Sequence, residues 1–394
     1  MKIGILAERK KPEDNRVALT PKDAKCLQEI YPQLEILVES SPHRVFEDSA
    51  YQNEGFPLVE RATEADLLLG VKEVPLEELI PNKAYFFFSH TIKKQPYNKV
   101  LLRSIVEKNI TLLDYECLVD KAGNRVIGFG KWAGIVGTYN AFRTYHQKNR
   151  WHPLIPAHQL PDYQALLGQL KHMELPKIKI AYTGTGKVSD GIREILEYLK
   201  IKEVMPQEFK HSQGPVFTQL KNEHLYQRKD QVAFEKQHFF KNHKAYSSIF
   251  LPYLDQADVL INGMYWENDM EPLFSINDLS EEVQIRTIAD ITCDVKGSIP
   301  ITWKATNIED PVAGWDLKKQ EPSEAFQQNT IDIMAVTNLP SELPKSSSED
   351  FSKKMKEIIV PEWMKNSPMI QNATLVEKGK ITAKYAYLDS WLHE

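Results

Sequence analysis

Residues 178–191 read IKIAYTGTGKVSDG, and this stretch decides how the chain folds. Ile178–Thr183 is an apolar, strand-like run. Gly184-Thr185-Gly186 is a tight turn, and the pattern through Ile192–Leu199 is helical. Strand, glycine turn and helix in that order form the first unit of a nucleotide-binding sheet. The glycines let the backbone approach a pyrophosphate, and the helix N-terminus offers amide donors and a favourable dipole. The reading therefore assigns Gly184, Thr185, Gly186, Lys187 and Val188 to a dinucleotide site. Ser189 stands where a third glycine is usual, and Gly191 falls two residues late, so a plain tight turn is the alternative. An acid about 20 residues further on usually holds the adenine ribose. Glu203 and Glu208 are the candidates, and neither clearly ends a strand, so NAD(H) and NADP(H) both stay open.

The pattern around this stretch is similar. Strands are expected at Ile3–Ala7, Glu35–Glu39, Asp66–Val71, Tyr85–Ser89 and Ile110–Asp114, with helices at Pro21–Ile30 and Tyr97–Lys108. Later strands are expected at Asp258–Asn262, Thr287–Ile291 and Ile331–Thr337. Strands alternating with helices point to an α/β protein. A first doubly wound domain should reach to about residue 132, followed by a small-residue helix at Ala133–Arg143 suited to packing between domains. Gln147–Pro176 reads as an irregular connection with one short helix, and Lys210–Tyr246 as a charged, aromatic insertion. An insertion of that length should carry structure or function of its own. Ser346–Ser348 resembles a surface turn.

Composition narrows the class. A chain of 394 residues with 42% hydrophobic and 26% charged residues suits two globular domains. The net charge of -5 supplies no basic excess for nucleic acid. The N-terminal apolar run is too short for a secretory leader, and no stretch approaches the roughly 18 apolar residues of a membrane span. Cys26, Cys117 and Cys293 are sparse and unpaired in pattern. They suggest reduced thiols in a cytoplasmic protein and no metal site.

Ionisable residues recur at expected strand ends. Lys72 and Glu73 follow the third strand; His90, Lys93 and Gln95 follow the fourth; Glu116 and then Arg125 follow the fifth; and Arg16 follows the first. In an open parallel sheet ligands bind beyond the carboxyl ends of the strands. Each residue alone reads as a solvated charge, but the repetition over successive strands suggests one charged crevice.

These blocks together resemble a known family. Tyr85–Gln95 (YFFFSHTIKKQ), Asp114-Tyr115-Glu116, Phe129–Gly134 (FGKWAG), Thr183–Gly191, Ile261–Glu267 (INGMYWE) and Asn338–Pro344 (NLPSELP) closely resemble the lysine–ketoglutarate reductase part of α-aminoadipic semialdehyde synthase. The likeness continues to Thr382–Leu388 and departs at Gln147–Pro176, which looks shorter. The wider family holds the lysine-forming saccharopine dehydrogenases and the alanine dehydrogenases, similar in Lys72, His90 and the segment from Arg16 to Pro21. The resemblance implies two Rossmann-like doubly wound domains with an active-site cleft between them. It implies a substrate domain at 1–132 that the chain completes from about 325 to 394, and a dinucleotide-binding domain at 133–324. In relatives this part is often fused to a saccharopine-oxidising partner, an activity not expected here.

By the same resemblance the reaction joins lysine to 2-oxoglutarate and reduces the imine with NAD(P)H to saccharopine. Lys72 and His90 would move protons, with Glu73 and Glu116 modulating them. A cleft lysine near other cations would have a lowered pKa, and histidine titrates near neutrality. Arg16, Lys93, Arg125 and Gln95 match the substrates' three carboxylates, and Asp294 aligns with an active-site aspartate of the alanine dehydrogenases. Asn262 and the segment holding Thr337, Asn338 and Leu339 would line the cofactor. Thr337 stands where saccharopine-forming relatives usually carry aspartate, which keeps another amino-acid dehydrogenase or imine reductase, such as alanine dehydrogenase, as the alternative. Partners are expected to be small molecules only, and the oligomeric state is open.

Overall fold

The computed structural model describes residues 1–393 as two compact units. The first is Met1–Phe129 together with the stretch from Pro344; the second is Gly130–Leu343.

The first unit is built on eight strands: β1 (Lys2–Ile5), β2 (Glu35–Glu39), β3 (Leu58–Val59), β4 (Leu67–Lys72), β5 (Ala84–Phe88), β6 (Thr111–Asp114), β17 (Thr374–Glu377) and β18 (Lys380–Ile381). Their order is β18-β17-β6-β5-β4-β1-β2-β3. All pairings are parallel except those of β17 with β6 and β18. Strand order reverses between β1 and β4, which places a ligand crevice at their carboxyl ends. Leu67, Leu68, Leu69, Phe86 and Phe87 are fully buried, as strands covered on both faces require. Helix α1 (Pro21–Ile30) starts on Thr20, whose hydroxyl accepts from the Asp23 amide, with Pro21 preset for the first turn. Short α2 (Asp48–Asn53) and α3 (Pro96–Glu107) follow β2 and β5.

The second unit opens on α4 (Gly130–Lys148) and α5 (Tyr163–Lys171), the short helix expected in the connection. It then runs β7 (Lys179–Thr183), α6 (Lys187–Tyr198), β8 (Lys202–Glu203), α7 (Pro206–Phe209), β9 (Val216–Leu220), α8 (Asn222–Leu225) and the antiparallel pair β10 (Tyr226–Arg228) and β11 (Tyr246–Ser248). Strands β12 (Val259–Asn262), β13 (Thr287–Asp290), β14 (Val312–Asp316), β15 (Glu321–Ser323) and β16 (Thr330–Met334) complete it. The sheet order is β15-β14-β16-β13-β12-β7-β9-β8, parallel except around β14.

Several expectations change here. The return to the first unit comes at Pro344 rather than about 325, because β16 is paired on both sides, with β13 and β14, inside the second unit's sheet. The presumed insertion Lys210–Tyr246 contains β9, a neighbour of β7. Ser346–Ser348 is no surface turn: the three serines are buried in the helix Pro344–Lys354, and the Ser348 hydroxyl accepts from the Val17 amide at 3.0 Å. The small residues of α4 serve contact with α6. A Cβ on Gly134 would lie 2.0 Å from the Val188 carbonyl oxygen, and one on Gly191 2.0 Å from that of Lys131. No helix among the described residues is long and apolar enough to cross a membrane.

Candidate active site

In the first unit the strand ends gather two charge clusters. The first lies beyond β1 and β4. Lys72 is the first residue of β4 to leave the buried run. Its ammonium stands 3.4 Å from the carboxylate of Asp14, a buried acid. Asp14 also accepts from Arg16 Nε at 2.9 Å and Nη2 at 2.6 Å. Burial opposes charge on Asp14, but the Arg16 guanidinium and the Lys72 ammonium hold its carboxyl well below the usual range. Arg16 stacks over the Phe129 ring at 4.1 Å. Glu8 accepts from the amides of Val71 and Lys72 at 2.5 and 2.9 Å and so fixes the end of β4. Glu73 pairs with Lys10. Lys72 does stand near other cations: Lys10 is close enough to have its own pKa lowered by burial and by the Lys72 charge, and Arg16 shares Asp14, the anion that Lys72 touches.

The second cluster lies beyond β5 and β6. Glu116 has a side chain only 4% exposed, yet it meets three cationic or basic groups. His90 Nδ1 is 3.1 Å away, Lys93 Nζ 3.3 Å and Arg125 Nη2 3.5 Å. Burial opposes the charge on Glu116; His90, Lys93 and Arg125 outweigh it and hold the pKa down at about 2. His90 sits in the left-handed region at φ 55°, which turns its ring off the strand line toward Glu116. Beneath it Asp114 accepts from the Ser89 amide at 3.1 Å, from the Ser89 hydroxyl and from the Glu116 amide at 2.8 Å. Burial pushes Asp114 up to about 6. Phe88 joins the clusters: its ring lies 6.3 Å from His90 and 6.1 Å from Phe129, the ring under Arg16.

The strand-end expectation is met in position by Lys72, His90, Lys93, Glu116, Arg125 and Arg16. Gln95 is not drawn in; it is exposed and accepts from the Tyr97 hydroxyl. Sequence reasoning passed over Asp14, Glu8 and Asp114, the acids that hold the others. An acid two residues before Arg16 was the one available signal.

In the second unit Gly184 has a φ of 104°, and a Cβ there would meet the Gly263 carbonyl oxygen at 2.5 Å. A Cβ on Gly186, which caps α6, would meet nothing within 4 Å. The turn therefore leaves open space at a helix start, as a pyrophosphate cradle needs. Gln219, at the end of β9, holds it from the side, donating to the Gly184 carbonyl at 2.9 Å and the Ser189 hydroxyl at 3.0 Å. Thr185 is exposed at the turn, Val188 packs in the second unit's core, and the mostly exposed Lys187 pairs with Asp190.

The other residues expected at the cofactor site, and Asp294, expected at the catalytic site, are placed as follows. Asn262 accepts from Thr183 and donates to Asp290 and Ser298, tying β7, β12 and β13 together. Leu339 is core, against α4. The Asn338 carbonyl accepts from Ser341, and the Thr337 amide reaches Thr306 at 3.4 Å. Asp294 is exposed in the turn after β13. Glu208 cannot hold an adenine ribose at the glycine turn. It lies on α7, whose Phe209, with Lys210 just after it, meets the Lys179 side chain at the start of β7, the opposite end of the strand. Glu203 is taken by both guanidinium nitrogens of Arg193 at 2.7 Å each.

Residues 4–136 match the alanine dehydrogenase/PNT N-terminal domain. Over 95% of its length the chain is 30% identical to the mitochondrial α-aminoadipic semialdehyde synthase of Bos taurus, covering 46% of that protein. It is 26% identical to the saccharopine dehydrogenase [NAD(+), L-lysine-forming] of Yarrowia lipolytica, covering 90% of both. The chain is a homologue of these enzymes. It spans less than half the length of the α-aminoadipic semialdehyde synthases it matches. Among solved structures an L-alanine dehydrogenase superposes with a TM-score of 0.65 at 14% identity, over the whole of both chains, and a transhydrogenase from Sinorhizobium meliloti with 0.60 at 13%, covering 97% of this chain and 99% of that one. The fold is that of the alanine dehydrogenases.

Proposed function

We propose that the chain is a nicotinamide-dependent reductase that condenses L-lysine with 2-oxoglutarate and reduces the imine to saccharopine, reversibly. The observation that carries this reading is Glu116, a buried anion at a strand end that holds a histidine, a lysine and an arginine. The two substrates bring three carboxylates and two amines. A small amino acid formed from ammonia would need far fewer fixed charges, which weighs against an alanine-dehydrogenase-type reaction.

The groups divide the work by position. Arg125 and Lys93, each with a half-exposed side chain, reach outward from Glu116 and suit carboxylates. Glu116 faces the incoming amine. With Nδ1 of His90 turned to Glu116, Nε2 is the ring atom that carries a proton to or from substrate. Lys72, held by Asp14, is the second proton carrier, and Arg16 is held by the same acid to receive a carboxylate. The first unit is thus the substrate unit, and the glycine turn of the second holds the dinucleotide, whose nicotinamide supplies the hydride when bound. The three free cysteines suit a reducing compartment such as the cytoplasm.

The test is oxidation of NADH and of NADPH, followed with lysine plus 2-oxoglutarate and, separately, with pyruvate plus ammonia. Saccharopine should form in the first mixture. Faster turnover of pyruvate and ammonia would sink the assignment.

A further inference from the structure

The connection between β10 and β11 lies outside both large sheets, in the charged, aromatic stretch Lys210–Tyr246. It runs through helix α9 (Lys236–Lys241) to a turn at His243–Ala245. His243 is only 5% exposed. Its ring stands edge-on to Phe239 at 5.1 Å and to Phe240 at 6.3 Å. Nε2 is buried with no polar partner, so Nδ1 is the nitrogen the ring offers. Nδ1 faces two half-exposed carboxylates from the loop after β12, Asp269 Oδ1 at 3.0 Å and Glu267 Oε2 at 3.7 Å. The other oxygen of Glu267 accepts from the Tyr265 hydroxyl, and the Tyr265 ring stands against Phe240 at 6.0 Å. Among the described residues no lysine or arginine pairs with either acid.

One nitrogen and two carboxylate oxygens thus lie within 4.8 Å of one another, on three side chains. A tetrahedral zinc with bonds of about 2.0–2.2 Å sets its ligand atoms roughly 3.4 Å apart. The distances of 3.0 and 3.7 Å bracket that spacing. Imidazole beside carboxylate suits zinc and its transition-metal neighbours, whereas magnesium and calcium take oxygen donors. The hydroxyl of Tyr265 orients Glu267 as outer partners orient metal-binding carboxylates. Cysteine spacing is blind to such a site, because no thiol takes part.

We propose that His243, Glu267 and Asp269 bind one zinc-class divalent cation, with water completing its coordination. The ion fastens the turn before β11 to the loop after β12. This site is independent of the reductase reading, since none of its residues serves that chemistry.

The full chain, stripped with EDTA and returned to metal-free buffer, is titrated by calorimetry with Zn²⁺, Mg²⁺ and Ca²⁺, and melted with and without Zn²⁺. Wild type should take one Zn²⁺ with a Kd of about 10 μM or tighter, and Mg²⁺ and Ca²⁺ at least about a hundredfold more weakly. At about a hundred times Kd, Zn²⁺ should raise the melting temperature by about 5 °C. Glu267→Gln and Asp269→Asn change half-exposed side chains, so each should melt within about 2 °C of metal-free wild type. Each should weaken Zn²⁺ at least about tenfold and lose most of its stabilising effect. A wild type that takes no Zn²⁺, or variants that bind it as tightly as wild type, overturns the proposal. Mg²⁺ or Ca²⁺ bound as tightly as Zn²⁺ overturns it too, because the histidine would then take no part.

Discussion

Glu116 is the residue whose neighbours say most about the chemistry. Replacing it by glutamine removes the anion that His90, Lys93 and Arg125 share, and leaves a buried amide facing three donors. The expected result is a kcat loss of at least about tenfold, since His90 loses the group that orients its ring. Lys72→Met and His90→Gln should each lower kcat by about 10²–10⁴, the range for acid–base groups, while the thermal transition stays. Near-native turnover in both would remove them from the mechanism. Arg125→Ala differs, because Arg125 is half-exposed and at 3.5 Å is the most distant partner of Glu116. It should raise KM for 2-oxoglutarate more than for lysine, read by varying one substrate while the other saturates. A change below about twofold in both would make it a solvated surface charge. These residues were legible in sequence because a charge that ends an apolar run sits where a parallel sheet binds ligands. Asp14 and Asp114 were not. Their effect depends on burial beside a partner, and neither an acid in a loop, as Asp14 is, nor one that closes a strand, as Asp114 does, shows its burial in sequence.

At the level of elements the glycines separate packing from binding. Gly134 on α4 and Gly191 on α6 let two helix backbones touch, and a Cβ on either would fall 2.0 Å from a carbonyl oxygen. Gly134→Ala or Gly191→Ala should therefore destabilise by about 1–3 kcal/mol or more, seen as a lower denaturant midpoint, because backbone cannot yield as a side-chain tip can. Gly186→Val should do the opposite. The φ at Gly186 is -100° and a Cβ meets nothing, so the turn does not need glycine for its conformation. That variant should keep the unfolding midpoint and lose affinity for both nucleotides in calorimetry. Unchanged affinity would make the turn purely structural. The sequence placed half of the sixteen strands of the two sheets to within a residue or two, since each of these is a short apolar run bounded by turns. It missed β9, whose Gln219 and flanking charges broke the apolar pattern, along with β3, β8, β14, β15, β17 and β18. Between α6 and β9 the chain inserts β8 and α7, so Glu208, about 20 residues past the glycines, falls beside the start of β7 rather than its carboxyl end. Gly191 was read as misplaced for a phosphate loop, and only its contact with α4 explains it.

For the whole molecule the balance of buried acids sets the pH of greatest stability. Glu342, 1% exposed, accepts from Asn140 at 2.8 Å, and burial pushes its pKa to about 7; Asp114 is pushed to about 6. A folded-state pKa above the unfolded value means the native chain holds the extra proton between the two values. Stability from these two acids is then fully present below about pH 4 and declines as pH rises through 6 and 7. Asp290 and Asp332, raised by burial, act in the same direction. Glu116 acts in the opposite sense. Its pKa of about 2 lies below the ordinary 4.5, so its contribution is complete above 4.5 and is lost as pH falls toward 2. Asp14, also depressed, adds to that acid limb. The melting temperature should thus rise by a few degrees as pH drops from 8 to about 5 and fall again below about 4. Glu342→Gln, which keeps an acceptor for Asn140 but cannot ionise, should flatten the upper limb and leave the acid limb alone. Calorimetric scans of both proteins from pH 3 to 8 decide this. A wild-type melting temperature that climbs steadily to pH 8, or an upper limb unchanged by Glu342→Gln, would show that burial does not raise the pKa of Glu342.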